Sequence, residues 1–354
     1  MAKKYRKKTS GKKYARGKRT NKKLLTILGV SLVCVLIGLG GLWFFVEYRS
    51  AGRNASAGDS LIAQGKFNEA RKQYGRAITK EPNNIAYVNK LQEAILNITP
   101  VTLEEARALY DEYVGTMMHK ARYSPDDIDI QLQLVKKMYD AAYQTGLSQY
   151  WNRLHESAKL GLDRIRQDDP RKHELLLYRG LSALSLEDAN VTETYDENGN
   201  AMFPGENDIK AVLEEDPGNV LAWATLAHGR MAIYYRMLNE GRTQQAARNK
   251  LFADETMGQA LAVAGDSFEV NMTYLREILL RQNMLRQKYL KTPDSVTEEE
   301  LSEAESAVLA SQQKLIDAFD VNRHESRVSE LVTLLIGAGV DGQKNAIQLL
   351  ESYV

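Results

Sequence analysis

The sequence predicts an all-α protein: one apolar helix long enough to cross a bilayer, followed by a solenoid of antiparallel helix pairs. Three observations carry this. Residues 24–46 form an uncharged apolar run. After residue 50 apolar positions recur at helical spacing, with no strand-like alternation of useful length. Small and aromatic residues also recur at matching offsets in successive helix pairs, and internal self-similarity of that kind signals stacked helix pairs.

Composition agrees. The chain has 354 residues, 44% of them apolar, and only seven prolines. It is rich in Ala, Leu, Glu, Gln, Lys and Arg, all good helix formers. Length alone suggests two or three domains, but a repeat array grows by adding units rather than cores. The net charge of +1 conceals a division. Twelve of the 47 basic residues, and none of the 46 acidic ones, fall in residues 1–23, so a basic tail precedes an acidic body. The lone cysteine, Cys34, lies within the apolar run. That excludes an intramolecular disulfide, a cysteine metal cluster and thiol catalysis.

The run LLTILGVSLVCVLIGLGGLWFFV would span about 34 Å as a helix, against a bilayer core of roughly 30 Å. Trp43, Phe44, Phe45 and Tyr48 stand at its far end, where an aromatic belt belongs. The Lys and Arg residues before it predict a cytoplasmic N-terminus, with the remainder across the membrane. A cleaved signal peptide would have a shorter apolar core, and Ala55-Ser56-Ala57 lies too far downstream to be its cleavage site. Val33 before Cys34 does not fit a lipoprotein signal, and Gly29, Gly38, Gly40 and Gly41 do not form GxxxG. The expected organisation is a basic cytoplasmic tail (1–23), a transmembrane helix (24–46) and a helical repeat domain (47–354). The tail has the composition of a disordered segment attracted to anionic lipid. Tyr5 and Tyr14 offer stacking groups for RNA, but nucleic acid is not an expected partner.

The repeat pattern is clearest in residues 51–84. Gly58, Ala70 and Ala77 are small, Tyr74 is aromatic, and Pro82 closes the unit. Small residues let two antiparallel helices approach, Tyr74 fills the space between them, and Pro82 cannot continue a helix. In residue types and spacing this unit resembles the tetratricopeptide repeat (TPR) family, with Asn54 where that family usually has Trp. A second unit carries Val88 and Leu91, then Ala106 and Tyr110, with Thr102 and Glu105 as a capping box. A third pair, near 125–145 and 148–167, matches poorly. A fourth pairs 171–187 with 206–216, with Gly180 at a close crossing. It is interrupted by an insertion near 190–205 that reads as a small hairpin around Asn198-Gly199. A fifth carries Trp223, Leu226 and Ala227, then Ala253, Met257 and Ala260. A sixth pairs 267–290 with 297–319, with Thr297 and Glu300 as a capping box, and a seventh pairs 323–338 with 341–353. About seven helix pairs result. The last helix is apolar and lacks a polar cap, so a partner at that end, or a longer parent protein, is expected.

Chemical motifs are sparse. His119, His155, His173, His228 and His324 show no HxxxH or HExxH spacing, and no P-loop, G-x-S-x-G or G-x-G-x-x-G occurs. Asp196 to Asn200 faintly resembles a calcium loop, but Ala201 and Asn207 stand where Gly and Glu would be needed. Sequons occur at Asn54, Asn97, Asn190 and Asn271. No catalytic, metal or cofactor residue is expected, and the chain is read as a non-enzyme. The TPR resemblance implies that first helices form a concave wall that binds peptides or partner proteins. Candidate groove residues are Arg230, Tyr234, Tyr235, Arg236 and Asn271. Tyr274, Met237 and Met284 are read as core or groove. The function expected from the resemblance is a membrane-tethered interaction scaffold, or else the docking arm of an envelope enzyme or secretion complex.

Overall fold

The computed structural model describes residues 22–186, 194–197 and 199–353. The basic tail up to Asn21, most of the first half of the insertion, and Asn198 lie outside them. The chain divides into two units, 1–99 and 100–354.

In the first unit, helix α1 runs unbroken from Lys22 to Ala63. Its stretch Thr26–Phe44 has 19 residues, a mean hydropathy of 2.4 and side chains exposed throughout, and is long and apolar enough to cross a membrane. No proline falls between this stretch and the first repeat, so the helix continues into it. The turn after α1 satisfies its last carbonyls. Lys66 N–H donates to Leu61 O at 2.9 Å and Gly65 N–H to Ile62 O at 2.9 Å, with Gly65 at φ 71°. Helix α2 (Phe67–Lys80) then folds back and buries Ala70, Tyr74 and Ala77 completely. The Tyr74 ring lies directly over Gly58. A Cβ at Gly58 would stand 2.7 Å from Tyr74 Cζ, so only glycine lets the ring approach so closely. The Tyr74 hydroxyl donates to Asp59 Oδ1 at 2.7 Å. Pro82 follows directly on the α2 cap, and α3 (Ile85–Leu96) packs on α2, with Val88, Leu91, Ala94 and Ile95 buried. This is a TPR-like hairpin, with Ala70, Tyr74 and Ala77 buried and Tyr74 packed on Gly58.

The second unit opens with α4 (Leu103–Tyr123), α5 (Ile128–Thr145), α6 (Ser148–Leu162) and α7 (Lys172–Ser185). Then come strands β1 (Thr194–Tyr195) and β2 (Ala201–Met202), α8 (Glu206–Glu215), α9 (Val220–Asn239) and α10 (Thr243–Ala264). It closes with α11 (Phe268–Lys291), α12 (Glu298–Asp317), a four-residue α13 (Val321–His324), a 3-10 turn (Glu325–Arg327), α14 (Val328–Gly337) and α15 (Val340–Tyr353). Polar caps set the helix starts. Asp127 accepts from Asp129 and Ile130 N–H, Asn219 from Ala222 N–H and Ser267 from Val270 N–H. Thr297 and Glu300 form the expected capping box. At Thr102 the box is only half present: its hydroxyl accepts from Glu105 N–H at 3.1 Å, but the Glu105 carboxylate takes the amide of Val101.

Within this unit α5, α7, α9 and α11 lie side by side as an inner wall, with α6, α8, α10 and α12 packed against them. The array does not run on as an open ramp. The 3-10 turn and α14 return to α5, while Leu331 and Leu335 join the core of Phe268, Met272 and Leu275 on α11. The expected first helix of the last pair is therefore broken. Asp320 caps the short α13, whose His324 Nδ1 accepts from Asp320 N–H at 2.9 Å, and α14 begins only at Val328.

The insertion ends in the expected hairpin, with Thr194 opposite Met202 and Tyr195 opposite Ala201. Within the acidic turn Asp196 accepts from Asn200 N–H at 2.7 Å and from Asn200 Nδ2 at 2.8 Å. Phe203 is buried against Gly229, where an added Cβ would stand 2.4 Å from the ring. This seats the insertion on α9.

Candidate functional site

The inner face of the second unit carries three adjoining hollows, all touching Arg276 of α11. The first, about 160 Å³, lies among Tyr143, Trp151, His228, Glu269, Arg276 and Arg327. The second, about 420 Å³, is largely apolar and lies between α9, α11 and α14, with Met231, Tyr235, Leu279, Leu280 and Leu334 in its wall. The third, about 490 Å³, runs from Tyr143 and Gln144 across Arg276 to Ser329, Thr333 and Leu334. Together they form a cleft whose floor is α9 and α11 and whose rims are α5 and α14.

Charge in the cleft is organised around Glu330. It pairs with both Arg276 and Arg327. Burial works to raise its pKa, but the two guanidiniums outweigh that and hold its carboxyl below the usual range. Such a doubly bridged carboxylate ties α14 to α11. His228 lines the first two hollows and is itself exposed. The crowding walls lower its pKa to about 4, Arg276 adds to that, and Glu330 opposes it. His228 is therefore neutral at pH 7. Beside the second hollow, Glu277 is buried and paired with Arg281, and burial raises its pKa.

The groove candidates from the sequence scatter. Tyr235 lies in the wall of the apolar hollow, its ring 4.7 Å from that of the half-buried Tyr234. Arg236 is also half-buried. Arg230 and Asn271 are corrections. Arg230 is only 7% exposed; its guanidinium pairs with the buried Glu206 and donates to Ala201 O at 3.1 Å, fastening the insertion to α9. Asn271 is 1% exposed, and its Nδ2 donates to Gly265 O at 2.7 Å and Ser267 O at 2.8 Å, which holds the α10–α11 turn. Both sit on inner-wall helices but point into packing. Met237 is buried in the core of α7–α10, Tyr274 is half-buried against the Phe268–Met272–Leu275 core, and Met284 is exposed. The packing residues of the fifth unit sit where hairpin contact needs them. Leu226 and Ala227 are buried, Ala227 in one cluster with Ala253, Met257 and Ala260, while half-buried Trp223 donates its indole N–H to Pro217 O at 2.8 Å.

The residues that do line the cleft, Tyr143, His228, Arg276, Arg327 and Glu330, are not apparent from the sequence. Tyr139 and Tyr143, four apart on α5, are the one local signal. The others converge only through the return of α14. Among the described residues no group of three or more His, Cys, Asp or Glu could hold a metal ion.

No family model matches this chain, and no curated protein matches it. Solved structures with similar architecture include YrrB, described as a TPR protein with an unusual peptide-binding site. It is 11% identical, over 61% of this chain and 88% of its own, with a TM-score of 0.34. Another is TTC0263, described as a thermophilic TPR protein in Thermus thermophilus. It is 17% identical, over 65% of this chain and all of its own, with a TM-score of 0.30.

Proposed function

We propose that this chain is a membrane-tethered scaffold that holds a segment of a partner protein in the inner cleft of its repeat unit. The observation that carries the reading is the apolar hollow between α9, α11 and α14. It combines exposed Leu280 and a Met231–Leu279 wall with polar groups at its margin, the mixture that fixes an apolar anchor and orients its backbone. Thr26–Phe44 would serve as the anchor, with the basic tail on the cytoplasmic side against anionic lipid and the repeat unit across the membrane. Tethering raises the local concentration of the scaffold, and the cleft supplies selectivity.

Reporter fusions at the two ends test the topology. The N-terminal reporter should be active only in the cytoplasm and the C-terminal one only outside it; the reverse pattern refutes this arrangement. Leu280→Glu and Leu334→Glu test the cleft. Each should abolish partner capture from solubilised membranes, while Leu251→Glu, on exposed α10 surface, leaves it intact. Equal capture by all three variants would remove the cleft from the function.

A further inference from the structure

Arg327 is the guest of an aromatic box. Its guanidinium carbon stands 3.9 Å from the centre of the Tyr143 ring and 5.8 Å from that of Phe268. One nitrogen donates to the Tyr139 hydroxyl at 3.4 Å and another to Glu330. The two tyrosine walls are held by rings outside the guest's segment, whereas the third wall, Phe268, stacks on His324 of that segment at 4.4 Å. Tyr139 meets Tyr143 edge to face at 4.7 Å and Tyr178 at 5.3 Å, and Tyr143 meets Trp151 at 5.0 Å. These rings come from α5, α6 and α7, so the tyrosine side of the box is built by helices that do not contain the guest, and Phe268 completes it from α11.

The guest, by contrast, is delivered by the least regular stretch of the unit, a four-residue helix and a 3-10 turn. Burial opposes its charge, but the tyrosine rings and Glu330 together raise its pKa, so the guest is a fixed cation. A guanidinium over a desolvated aromatic face is attracted by the ring's negative face, and its plane suits stacking better than an ammonium does. The box opens on the first hollow of the cleft, where Arg327 forms part of the wall.

We infer that the Tyr139–Tyr143–Phe268 box is a guanidinium-binding site of the cleft, filled in this state by the chain's own Arg327. We infer also that the partner segment proposed above carries an arginine with an acidic residue three places later, as Arg327 and Glu330 are spaced, and displaces it. This rests on the scaffold reading and specifies its partner.

The test uses the full chain in detergent micelles. The probe is a fluorescent peptide with the sequence of residues 320–335, and a second probe carries Ala in place of its residue-327 arginine. Anisotropy measures binding to the parent, to Arg327→Ala and to Arg327→Lys. The arginine probe should bind Arg327→Ala about tenfold more tightly than the parent, with Arg327→Lys between them, and the alanine probe should bind all three weakly. Circular dichroism establishes that each variant is folded, and Arg327→Lys keeps the test open should Arg327→Ala lose structure. Adding the arginine probe to the parent should also speed hydrogen exchange across residues 321–337 as the internal segment is released. Equal binding of the two probes, or equal affinity of parent and variants, overturns the inference. If that happens while Leu280→Glu still abolishes partner capture, the box alone is refuted; if Leu280→Glu also has no effect, the scaffold reading falls with it.

Discussion

Replacing Arg230 by Ala separates a packing role from a groove role at a residue where sequence and structure disagree. In the structure its guanidinium pairs with Glu206, which is 1% exposed, and holds the carbonyl of Ala201. Removing one partner of a buried pair costs about 3–5 kcal/mol because the other charge is left behind. Here Glu206 keeps Lys210, whose Nζ is 2.8 Å away and 39% exposed, so the cost should fall at the lower end, about 3 kcal/mol. For a unit of this size that lowers the unfolding midpoint by about 6–12 °C. Arg230→Met with Glu206→Met removes both charges and should lie within about 1 kcal/mol of the parent or above it. Thermal unfolding followed by circular dichroism gives the magnitudes. Hydrogen exchange should place the loss of protection in β1, β2 and α8. A midpoint within about 1 °C of the parent, combined with weakened partner binding, would refute the packing assignment and return Arg230 to the cleft.

Four further outcomes are expected. Gly58→Ala drives a methyl into the Tyr74 ring; overpacking of about 1–3 kcal/mol exceeds the ~1 kcal/mol gain in helix propensity, and adding Tyr74→Leu should recover part of the loss. Tyr74→Phe removes the donor to Asp59 and should cost about 0.5–1.5 kcal/mol in denaturant titrations. His228 has a folded pKa near 4 against an ordinary 6.5, so the unfolded chain binds its proton first; stability should fall as pH drops from 6.5 towards 4, and His228→Gln should flatten that stretch of the profile. The chain should stay in the membrane pellet after alkaline extraction, and two arginines placed within Thr26–Phe44 should release it; release of the parent chain would contradict the anchor.

What the sequence disclosed was local. The hairpin of α1 and α2 could be read because Gly58, Ala70, Tyr74 and Ala77 lie on two helices adjacent in sequence and the decisive contact, Tyr74 on Gly58, spans only 16 residues. Caps such as Asp127 and Thr297 were likewise legible, since a cap is fixed by three or four neighbouring residues. The cleft was not legible in this way. Arg276 and Glu330 are 54 residues apart and Arg327 and Tyr139 are 188 apart, and nothing in the intervening periodicity specifies that α14 turns back to α5. Arg230 and Asn271 were assigned to the groove because they lie on first helices. A helix has two faces towards its neighbours as well as one towards the cleft, and helical spacing alone does not say which residue takes which. The insertion added the deciding contact: Phe203 and Glu206, brought back by the hairpin, occupy the side of α9 that carries Gly229 and Arg230.

The central claim is that partner segments enter between α9, α11 and α14. A photo-crosslinking residue at position 280, in the wall of the apolar hollow, tests it in intact membranes against the same residue at position 251 on the exposed face of α10. The account predicts a discrete protein adduct from position 280 that disappears on adding Leu334→Glu, and none from position 251. Adducts of equal yield from both positions, or adducts from position 251 alone, would contradict it.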